Sequence, residues 1–389
     1  MPPINITHVI TGLSVGGAEK VLMRLIHEMD PACYKNSVIS LTDLGKLGQQ
    51  MVESGVNVSA YNFSKDSSNI LPFMKLCRGI RGQKPDIVQT WMYHADLIGG
   101  IAAKLVTSAP IIWNLRQSNL HDVHSKKSTI RTAHLCAKVS SLVPNTIICG
   151  SEAAHSVHSE MGYDVTKMVT LKNGFDHSKY KENSEIGVAL RKKIGISESS
   201  FVVGNSSRYD PQKDHETFLK AASLLMKAHD DVAILLCGEN ISEDNDDLKS
   251  LIEEYGLTSK VHILGLMHDM VEFYSAIDAL ALSSAFGEGS PNVLGEAMLS
   301  GLPCVSTDVG DSAQIVNDYG YITKVGDYDA FGQALIKLSK MSPSERKAMG
   351  MSARKYIQDS NPLLTMVQRY EALYRRVYSQ QYNTVCSAT

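Results

Sequence analysis

The chain has 389 residues, of which 43% are hydrophobic and 20% are charged, a composition that excludes a disordered or fibrous protein. At about 150 residues per domain, this length predicts two or three domains. The net charge of −3 excludes an overall positive field that would attract nucleic acid. Seven cysteines without a C-x-x-C pair argue against a disulfide framework and a cysteine-ligated zinc, and they indicate a reducing compartment.

The sequence contains no apolar run of 18 residues, so we expect no membrane-spanning helix. Residues 1–11 lack the basic start and the small-residue cleavage site of a signal peptide, and they are typical of a β-strand. We therefore expect a cytoplasmic protein.

The first half of the chain alternates between strand and helix patterns. The first strand is followed by residues 18–29, whose apolar side chains have helical spacing. Alternation of this kind predicts a parallel sheet with helices on both faces. The predicted strands are residues 4–10, 37–41, 87–90, 111–114 and 146–149.

A second series of the same kind predicts a second doubly wound α/β domain of similar size. Between the two series, residues 176–200 are polar and charged and are the expected linker. Two helices, over residues 344–358 and 363–382, close the chain. The predicted strands of this series are residues 201–206, 232–237, 261–264, 279–283, 304–307 and 320–323, with helices at 215–229 and 293–300 among them.

A glycine-rich turn, Gly12-Leu13-Ser14-Val15-Gly16-Gly17, follows the first strand and opens a helix. Glycines allow backbone N–H groups to approach an anion at a helix N-terminus. The turn does not match the dinucleotide pattern G-x-G-x-x-G, and the chain contains no P-loop. A tight structural turn is the alternative interpretation.

A basic pair opens the second series. Arg208 follows a predicted strand, and Lys213 precedes a helix whose expected N-cap is Asp214. Ligands of open α/β sheets bind beyond the carboxyl ends of the strands, where an Arg fork and a Lys point charge can hold a diphosphate. The alternative is a surface ion pair with Asp210 or Glu216.

Residues 283–298 combine a strand end, a glycine-rich loop and a helix start. Glu288 lies in the loop, and Glu296 follows eight residues later in the helix. Carboxylates suit the hydroxyls of a polyol, whereas the backbone N–H groups between Gly289 and Asn292 suit a phosphate. The alternative is that one glutamate pairs with the helix dipole and the other is an exposed helical residue.

Taken together, these motifs resemble those of the retaining glycosyltransferases of family 4. The resemblance extends over about residues 4–330 and rests on G-G-A-E at 16–19, the pair Arg208 and Lys213, F-G-E-G-S-P-N-V-L-G-E-A-M at 286–298, and G-L-P-C-V at 301–305. It implies the GT-B fold, in which two Rossmann-like domains face a cleft and the last helix returns to the first domain. The implied boundaries are residues 1–175 with helix 363–382 for the acceptor, and residues 176–362 for the donor.

The resemblance also implies roles for individual residues. Arg208 and Lys213 would hold the diphosphate, Glu296 the ribose, and Glu288 the donor sugar. His94, after the strand that ends at Thr90, corresponds to the histidine near the acceptor and the anomeric centre. Many family members have Lys-Gly where this chain has Lys213-Asp214. The remaining expected donor-binding residues are Gly16, Gly17, Gly289, Ser290, Pro291, Asn292 and Val293.

The expected activity is the transfer of a hexose or N-acetylhexosamine, with retention, from a nucleotide diphosphate, with UDP expected, to a saccharide or lipid-linked saccharide. Bacterial surface polysaccharide synthesis is the expected context. No cofactor and no metal ion are expected, because Arg, Lys and helix N-termini can neutralise the leaving diphosphate. The acidic residues 244–247 are interpreted as a solvated helix start. The alternatives are a nucleotide-sugar epimerase, a glycoside phosphorylase and a non-catalytic sugar-binding protein.

Two basic segments, residues 71–84 and 123–151, lie in the first half of the chain. Each is explained either as a solvated helix face or as a surface that contacts an anionic membrane at the inner face of the plasma membrane. Their basic residues are Lys75, Arg78, Arg81, Lys84, Lys126, Lys127, Arg131 and Lys138.

Overall fold

The computed structural model describes residues 2–63, 70–118, 120, 126–180, 184–267 and 269–386. Its strands are β1 (Ile4–Ile10), β2 (Tyr34–Ser40), β3 (Asn57–Ala60), β4 (Ile87–Trp91), β5 (Ile111–Leu115), β6 (Thr146–Cys149), β7 (Met168–Thr170), β8 (Phe201–Ser206), β9 (Val232–Cys237), β10 (Val261–Ile263), β11 (Ala279–Leu282), β12 (Cys304–Thr307) and β13 (Gly320–Thr323).

The helices of the described residues surround these strands. They are α1 (Gly17–Glu28), α2 (Gly45–Glu53), α3 (Leu71–Gln83), α4 (Tyr93–Val106), α5 (Lys127–Val139), α6 (Glu152–Glu160), α7 (Ser184–Lys193), α8 (His215–Ala228), α9 (Asp246–Glu254), α10 (Met270–Ser275), α11 (Asn292–Leu299), α12 (Ser312–Val316), α13 (Tyr328–Lys340), α14 (Pro343–Ser360) and α15 (Leu363–Cys386).

The chain divides into two compact units. The N-terminal unit is Met1–Gly174 with Leu364–Thr389, and the C-terminal unit is Phe175–Leu363. The N-terminal unit contains a seven-stranded sheet in the order β3-β2-β1-β4-β5-β6-β7, and the C-terminal unit a six-stranded sheet in the order β10-β9-β8-β11-β12-β13. All of these strands pair in parallel, so each unit is a Rossmann-like doubly wound sheet, as the sequence predicts.

Helix α15 belongs to the N-terminal unit, where Tyr370 and Tyr374 are buried against the sheet. The hydroxyl of Tyr374 donates to Oε1 of Gln89 at 2.7 Å, and Nδ2 of Asn114 donates to the hydroxyl of Tyr370 at 2.9 Å. The ring of Tyr370 also stacks on that of Trp91, with 6.4 Å between ring centroids. These contacts give one polar atom of each buried amide, Oε1 of Gln89 and Nδ2 of Asn114, a hydrogen-bond partner in the interior.

The polar stretch 176–200 is not the linker that the sequence predicts. Residues 181–183 lie outside the described residues, but residues 184–193 form α7 and belong to the C-terminal unit. Arg191 on α7 is buried; its Nε donates to the carbonyl of Ala276 at 2.9 Å, and its Nη2 pairs with Asp278 at 2.9 Å. The charged residues on which the linker prediction was based thus include Arg191, which binds α7 to the C-terminal unit.

The sequence also failed to predict β3 and β7, which have four and three residues. Both strands lie at the edges of the N-terminal sheet, and most of their residues are partly exposed. Short, half-exposed edge strands carry little apolar periodicity, which explains the omission.

The strand order of each sheet indicates the position at which a ligand is expected to bind. The direction of winding reverses between β1 and β4 in the N-terminal unit and between β8 and β11 in the C-terminal unit. Ligands of open α/β sheets bind beyond the carboxyl ends of the strands at such a reversal. The turn at Gly16 and the residue His94 follow β1 and β4, whereas Arg208 and Glu288 follow β8 and β11.

Three buried histidines should make the stability of the fold depend on pH. Burial lowers the pKa of His8, His158 and His215 from 6.5 to about 4. Each stays neutral in the folded protein, whereas the unfolded chain takes up the protons near pH 6.5. The free energy of unfolding is therefore highest above pH 6.5 and decreases as the pH falls towards 4. The decrease amounts to about 2 kcal/mol per histidine at pH 5.

Thermal unfolding between pH 7.5 and pH 5 measures this loss. His8→Gln should flatten the pH dependence, whereas His134→Gln, a control change at an exposed histidine of α5, should leave it as steep as in the unmodified protein. An unfolding midpoint that stays constant over this range in the unmodified protein would contradict the prediction.

Candidate functional site

The loop after β8 presents two basic side chains at the carboxyl edge of the C-terminal sheet. Residues Pro211–Lys213 form one 3₁₀ turn, capped by Oδ1 of Asp210, which accepts from the backbone N–H of Gln212 at 2.9 Å. Nη2 of Arg208 donates to Oε1 of Gln212 at 2.9 Å, and its Nε lies 3.6 Å from a carboxylate oxygen of Asp210. The ion pair with Asp210 is thus present, but both side chains are about two-fifths exposed, so it contributes little.

Lys213 forms a buried ion pair with Glu288. The same carboxylate oxygen, Oε1, accepts the hydroxyl of Ser284 at 2.7 Å. Burial alone would raise the pKa of Glu288, but the ammonium of Lys213, the Ser284 hydroxyl and the charge of Arg208 outweigh it and lower the pKa. Glu288 is therefore an anion at neutral pH, and the three charged side chains form one electrostatic cluster.

Two hydrogen bonds between loops hold this cluster in place. The hydroxyl of Ser283 donates to the carbonyl of Lys213, and the N–H of Ala285 donates to the carbonyl of Gln212, both at 2.8 Å. The loop after β11 is thereby tied to the turn after β8. Since both loops leave adjacent strands, the order of the sheet brings Lys213 and Glu288 together across 75 residues of sequence.

Asp214 occupies the position at which the resemblance implies a glycine, and its backbone conformation explains why a glycine would also suit it. Its backbone is left-handed, with φ of 47°, a conformation in which glycine is favoured and aspartate is tolerated. Its carboxylate accepts from the N–H of Thr217 at 3.1 Å, which confirms it as the N-cap of α8.

Glu296 is the second carboxylate of the motif and lies in α11, where it is 1% exposed. The hydroxyl of Tyr274 on α10 donates to its Oε2 at 3.1 Å. The interpretation of Glu296 as an exposed helical residue is therefore wrong. Helix α11 begins at Asn292, so Gly289, Ser290 and Pro291 form the loop before it, and Asn292 and Val293 its first turn.

The N-terminal unit contains the remaining predicted residues. Gly16 is the N-cap of α1, and Gly17 is its first residue. A Cβ at Gly16 would overlap the carboxylate of Glu19, so this glycine leaves room for an acidic side chain beside the helix start. His94 is the second residue of α4 and is half-buried, directly beyond the carboxyl end of β4.

The structure therefore brings Arg208, Lys213 and Glu288 together at one edge of the C-terminal sheet, with Glu296 in the helix that follows the Glu288 loop. It places Gly16, Gly17 and His94 at the corresponding edge of the N-terminal sheet. Sequence reasoning missed Ser284, Gln212 and Tyr274. Ser284 and Gln212 lie inside the quoted motifs, and their positions beside charged residues were a usable signal. No sequence signal pointed to Tyr274, because it is 22 residues from Glu296, the glutamate that it contacts.

Within the described ranges, the structure contains no group of three or more His, Cys, Asp and Glu side chains arranged to hold a metal ion. Among those same residues, no helix is long and apolar enough to cross a bilayer.

Two Rossmann-like sheets, with a basic pair and two buried glutamates at the carboxyl edge of the second, are the features of a GT-B glycosyltransferase. The family models agree: residues 15–179 match "Glycosyltransferase Family 4", and residues 189–356 match "Glycosyl transferases group 1". The chain belongs to the family 4 type of glycosyltransferases with the GT-B fold.

Several known proteins are similar over most of the chain. An Escherichia coli UDP-Gal:alpha-D-GlcNAc-diphosphoundecaprenol alpha-1,3-galactosyltransferase is 25% identical over 80% of this chain and 79% of its own length. The Staphylococcus aureus capsular polysaccharide biosynthesis glycosyltransferase CapM is 24% identical over 79% of this chain and 81% of its own. The structure of Anabaena HepE in complex with UDP and glucose superposes with a TM-score of 0.85 and 20% identity, covering 96% of this chain and all of HepE.

Proposed function

We propose that this glycosyltransferase moves a hexose or N-acetylhexosamine from a UDP-sugar to a saccharide or lipid-linked saccharide, with retention and without a metal ion. The observation that carries the proposal is the buried cluster of Lys213, Glu288 and Ser284 with Arg208 beside it. Two cations at the carboxyl edge of a parallel sheet suit a diphosphate, and an anionic carboxylate among them suits sugar hydroxyls.

In the proposed mechanism, the two cations accelerate the reaction because they stabilise the charge of the leaving diphosphate. The bond between the anomeric carbon and the diphosphate oxygen breaks, and Arg208 and Lys213 stabilise the negative charge that develops on the diphosphate. The acceptor oxygen forms the new bond on the same face of the sugar and gives its proton to the departing diphosphate, so the configuration is retained. Glu288 would orient the donor sugar, Glu296 the ribose, and His94 would lie near the acceptor and the anomeric centre.

Relatives support the choice of substrates. The Escherichia coli relative is named for UDP-Gal and a diphosphoundecaprenol-linked acceptor, and CapM for capsular polysaccharide biosynthesis. Structures of HepE contain UDP or UDP-glucose. We therefore propose UDP as the nucleotide, a polyprenyl-diphosphate-linked saccharide as the acceptor, and bacterial surface polysaccharide synthesis in the cytoplasm as the context.

The test is a panel of UDP- and GDP-sugars, ranked by thermal shift and then incubated with diphosphate-linked saccharide acceptors. Proton NMR of the product would show whether the anomeric configuration of the donor is kept, and a parallel reaction in EDTA would show whether a metal ion is needed. We expect UDP release that depends on acceptor, retention, and full activity in EDTA.

The same experiment separates the alternatives. Conversion of the donor sugar without acceptor would indicate an epimerase, dependence on orthophosphate a phosphorylase, and binding without turnover a sugar-binding protein. Inversion of the anomeric centre would contradict the retaining mechanism while leaving the family assignment intact.

We further propose peripheral contact between the N-terminal unit and an anionic membrane. Helix α3 carries Lys75, Arg78 and Arg81 next to exposed apolar side chains, with Leu71 at 55% and Met74 at 43% exposure. Apolar residues beside basic ones on one helix are typical of surfaces that lie on a bilayer. Residues 123–125 of the second basic segment lie outside the described residues, and the remainder includes α5.

Sedimentation with vesicles tests this contact. Each basic residue near an anionic surface contributes about 1 kcal/mol, and salt screens the attraction. Binding should be strong with phosphatidylglycerol vesicles at low salt, weak with phosphatidylcholine, and reduced by Arg78→Glu with Arg81→Glu. Lys355→Glu, an exposed change on α14, is the matched control. Equal binding to both vesicle types would argue against the contact.

A further inference from the structure

Arg116 lies immediately beyond the carboxyl end of β5, the strand next to β4. The N–H of Met92, at the start of α4, donates to the carbonyl of Asn114 at 3.1 Å, and the N–H of Gly150 donates to the carbonyl of Leu115 at 2.9 Å. Arg116 therefore follows the strand between two helix starts, those of α4 and α6, at the same edge of the sheet as His94. Both helix N-termini add positive potential there.

The guanidinium of Arg116 has an incomplete set of partners. Its Nη2 donates to Oδ1 of Asn173, whereas its Nη1 is buried and has no hydrogen-bond partner in the described part of the chain. Charged groups are seldom left in the interior without a counter-charge, because the cost of desolvation is then not offset.

Among the described residues, no carboxylate forms an ion pair with the Arg116 guanidinium or contributes to its pKa shift. Burial lowers the pKa of Arg116, and the two groups that act in the opposite direction are Tyr370 and Cys149. Burial raises the pKa of Tyr370 above its usual value, and it raises the pKa of the Cys149 thiol to about 12, so both groups are neutral at pH 7. The charge of Arg116 is therefore available to a ligand.

The backbone around Arg116 is shaped to accommodate the guanidinium. A Cβ at Gly150 would lie 2.6 Å from Nη1 and 2.8 Å from Cζ of Arg116. The absence of a side chain at Gly150 thus leaves the space that the guanidinium occupies, and the φ of Gly150 is not in the left-handed region. The adjacent Gln117 has a buried Oε1 without a partner among the described residues, which is an acceptor for a hydroxyl group.

We propose that Arg116 binds an oxyanion of the acceptor substrate, with the diphosphate of a lipid-linked saccharide as its expected source. The proposal rests on the proposed function, because it assigns this edge of the N-terminal sheet to the acceptor. An arginine fork matches two oxygens of a phosphate or a carboxylate, and such charge-assisted pairs are about twice as strong as neutral hydrogen bonds. Arg208 and Lys213, in the other unit, are already assigned to the donor diphosphate.

A binding experiment tests the site without relying on turnover. With UDP at a saturating concentration to fill the donor site, inorganic diphosphate and glucuronate are titrated into the full-length protein by calorimetry. Diphosphate should bind, and Arg116→Gln should weaken it at least tenfold, with Arg116→Lys in between. Lys104→Gln, an exposed change on α4, is the matched control and should bind as the unmodified protein does. Binding of glucuronate alone, lost in Arg116→Gln, would support the oxyanion site and identify its source as a uronic acid.

Kinetics then link the site to the reaction. With a saccharide linked through diphosphate to an alkyl chain, Arg116→Gln should raise the acceptor KM at least tenfold and leave the affinity for UDP unchanged. With the neutral alkyl glycoside of the same saccharide, the variant and the unmodified protein should have the same KM. The proposal is overturned if Arg116→Gln binds diphosphate normally, or if it impairs both acceptors equally. If the unmodified protein transfers no sugar to any acceptor yet binds diphosphate through Arg116, the proposed function fails and the site remains.

Discussion

Replacing Lys213 with alanine should lower kcat by about 10²- to 10³-fold, the effect of removing one preorganised group that stabilises developing negative charge. Lys213 is the more buried of the two cations in the cluster, with its side chain 14% exposed, compared with 44% for Arg208. A charge in a poorly solvated site stabilises a leaving diphosphate more than one in water does. Initial rates of UDP release, with donor and acceptor both saturating, measure the effect.

The same change should also destabilise the C-terminal unit. It leaves Glu288, which is 8% exposed, without its counter-charge, and breaking a buried pair in this way costs about 3–5 kcal/mol. Burial is the largest influence on the pKa of Glu288, so in the absence of Lys213 we expect it to outweigh Ser284 and Arg208 and to raise that pKa. A carboxyl whose pKa is raised by folding destabilises the folded protein as the pH rises above the pKa of that group in the unfolded chain. The loss of unfolding free energy in Lys213→Ala should therefore shrink as the pH is lowered towards 4.5.

Two controls separate the loss of stability from the loss of catalysis. Lys220→Ala removes a lysine that pairs with Glu216 on the surface of α8, so it should change both stability and turnover little. The double variant Lys213→Met with Glu288→Gln removes both charges, and it should recover most of the stability while staying as slow as Lys213→Ala. Turnover of Lys213→Ala within threefold of the unmodified protein would contradict the role of this lysine in the reaction.

The fold could be predicted from the sequence because each unit follows local rules. Alternating apolar runs and helical spacing predicted the central strands and both Rossmann-like sheets, and the capping aspartate was predicted from its position before an apolar helix. The motif around Glu288 and Glu296 was recognisable because a glycine-rich loop, a proline and a helix start follow one another within 16 residues.

The contacts that complete the site depend on tertiary structure and could not be predicted in this way. Tyr274 reaches Glu296 only because α10 and α11 belong to the same core, and Lys213 meets Glu288 only because β8 and β11 are neighbours. Helix α7 was not predicted because, in the sequence, Arg191 is indistinguishable from a solvent-exposed charged residue. Its burial depends on the ion pair with Asp278, which is distant in the sequence. Local patterns therefore located the candidate residues, and the strand order decided which of them meet.

Gly310 should prove indispensable to the donor loop, although no motif in the sequence singles it out. It lies in the loop after β12, with a left-handed φ of 62°, and a Cβ there would overlap the carbonyl oxygens of Glu288 and Gly289. The next N–H, that of Asp311, donates to the carbonyl of Gly289 at 2.8 Å, so the two loops are in direct contact. Gly310→Ala must therefore displace the segment that carries Glu288.

Gly326 provides a matched control for this change. Its φ is 74°, and a Cβ there would have no atom within 4 Å. Both alanine variants carry the same backbone penalty of about 1–2 kcal/mol, but only Gly310→Ala adds an overlap with the donor loop. We expect Gly310→Ala to weaken UDP binding at least 100-fold in calorimetry, and Gly326→Ala to lower the unfolding temperature with unchanged UDP affinity. Equal affinities in the two variants would mean that the Glu288 loop does not hold the donor.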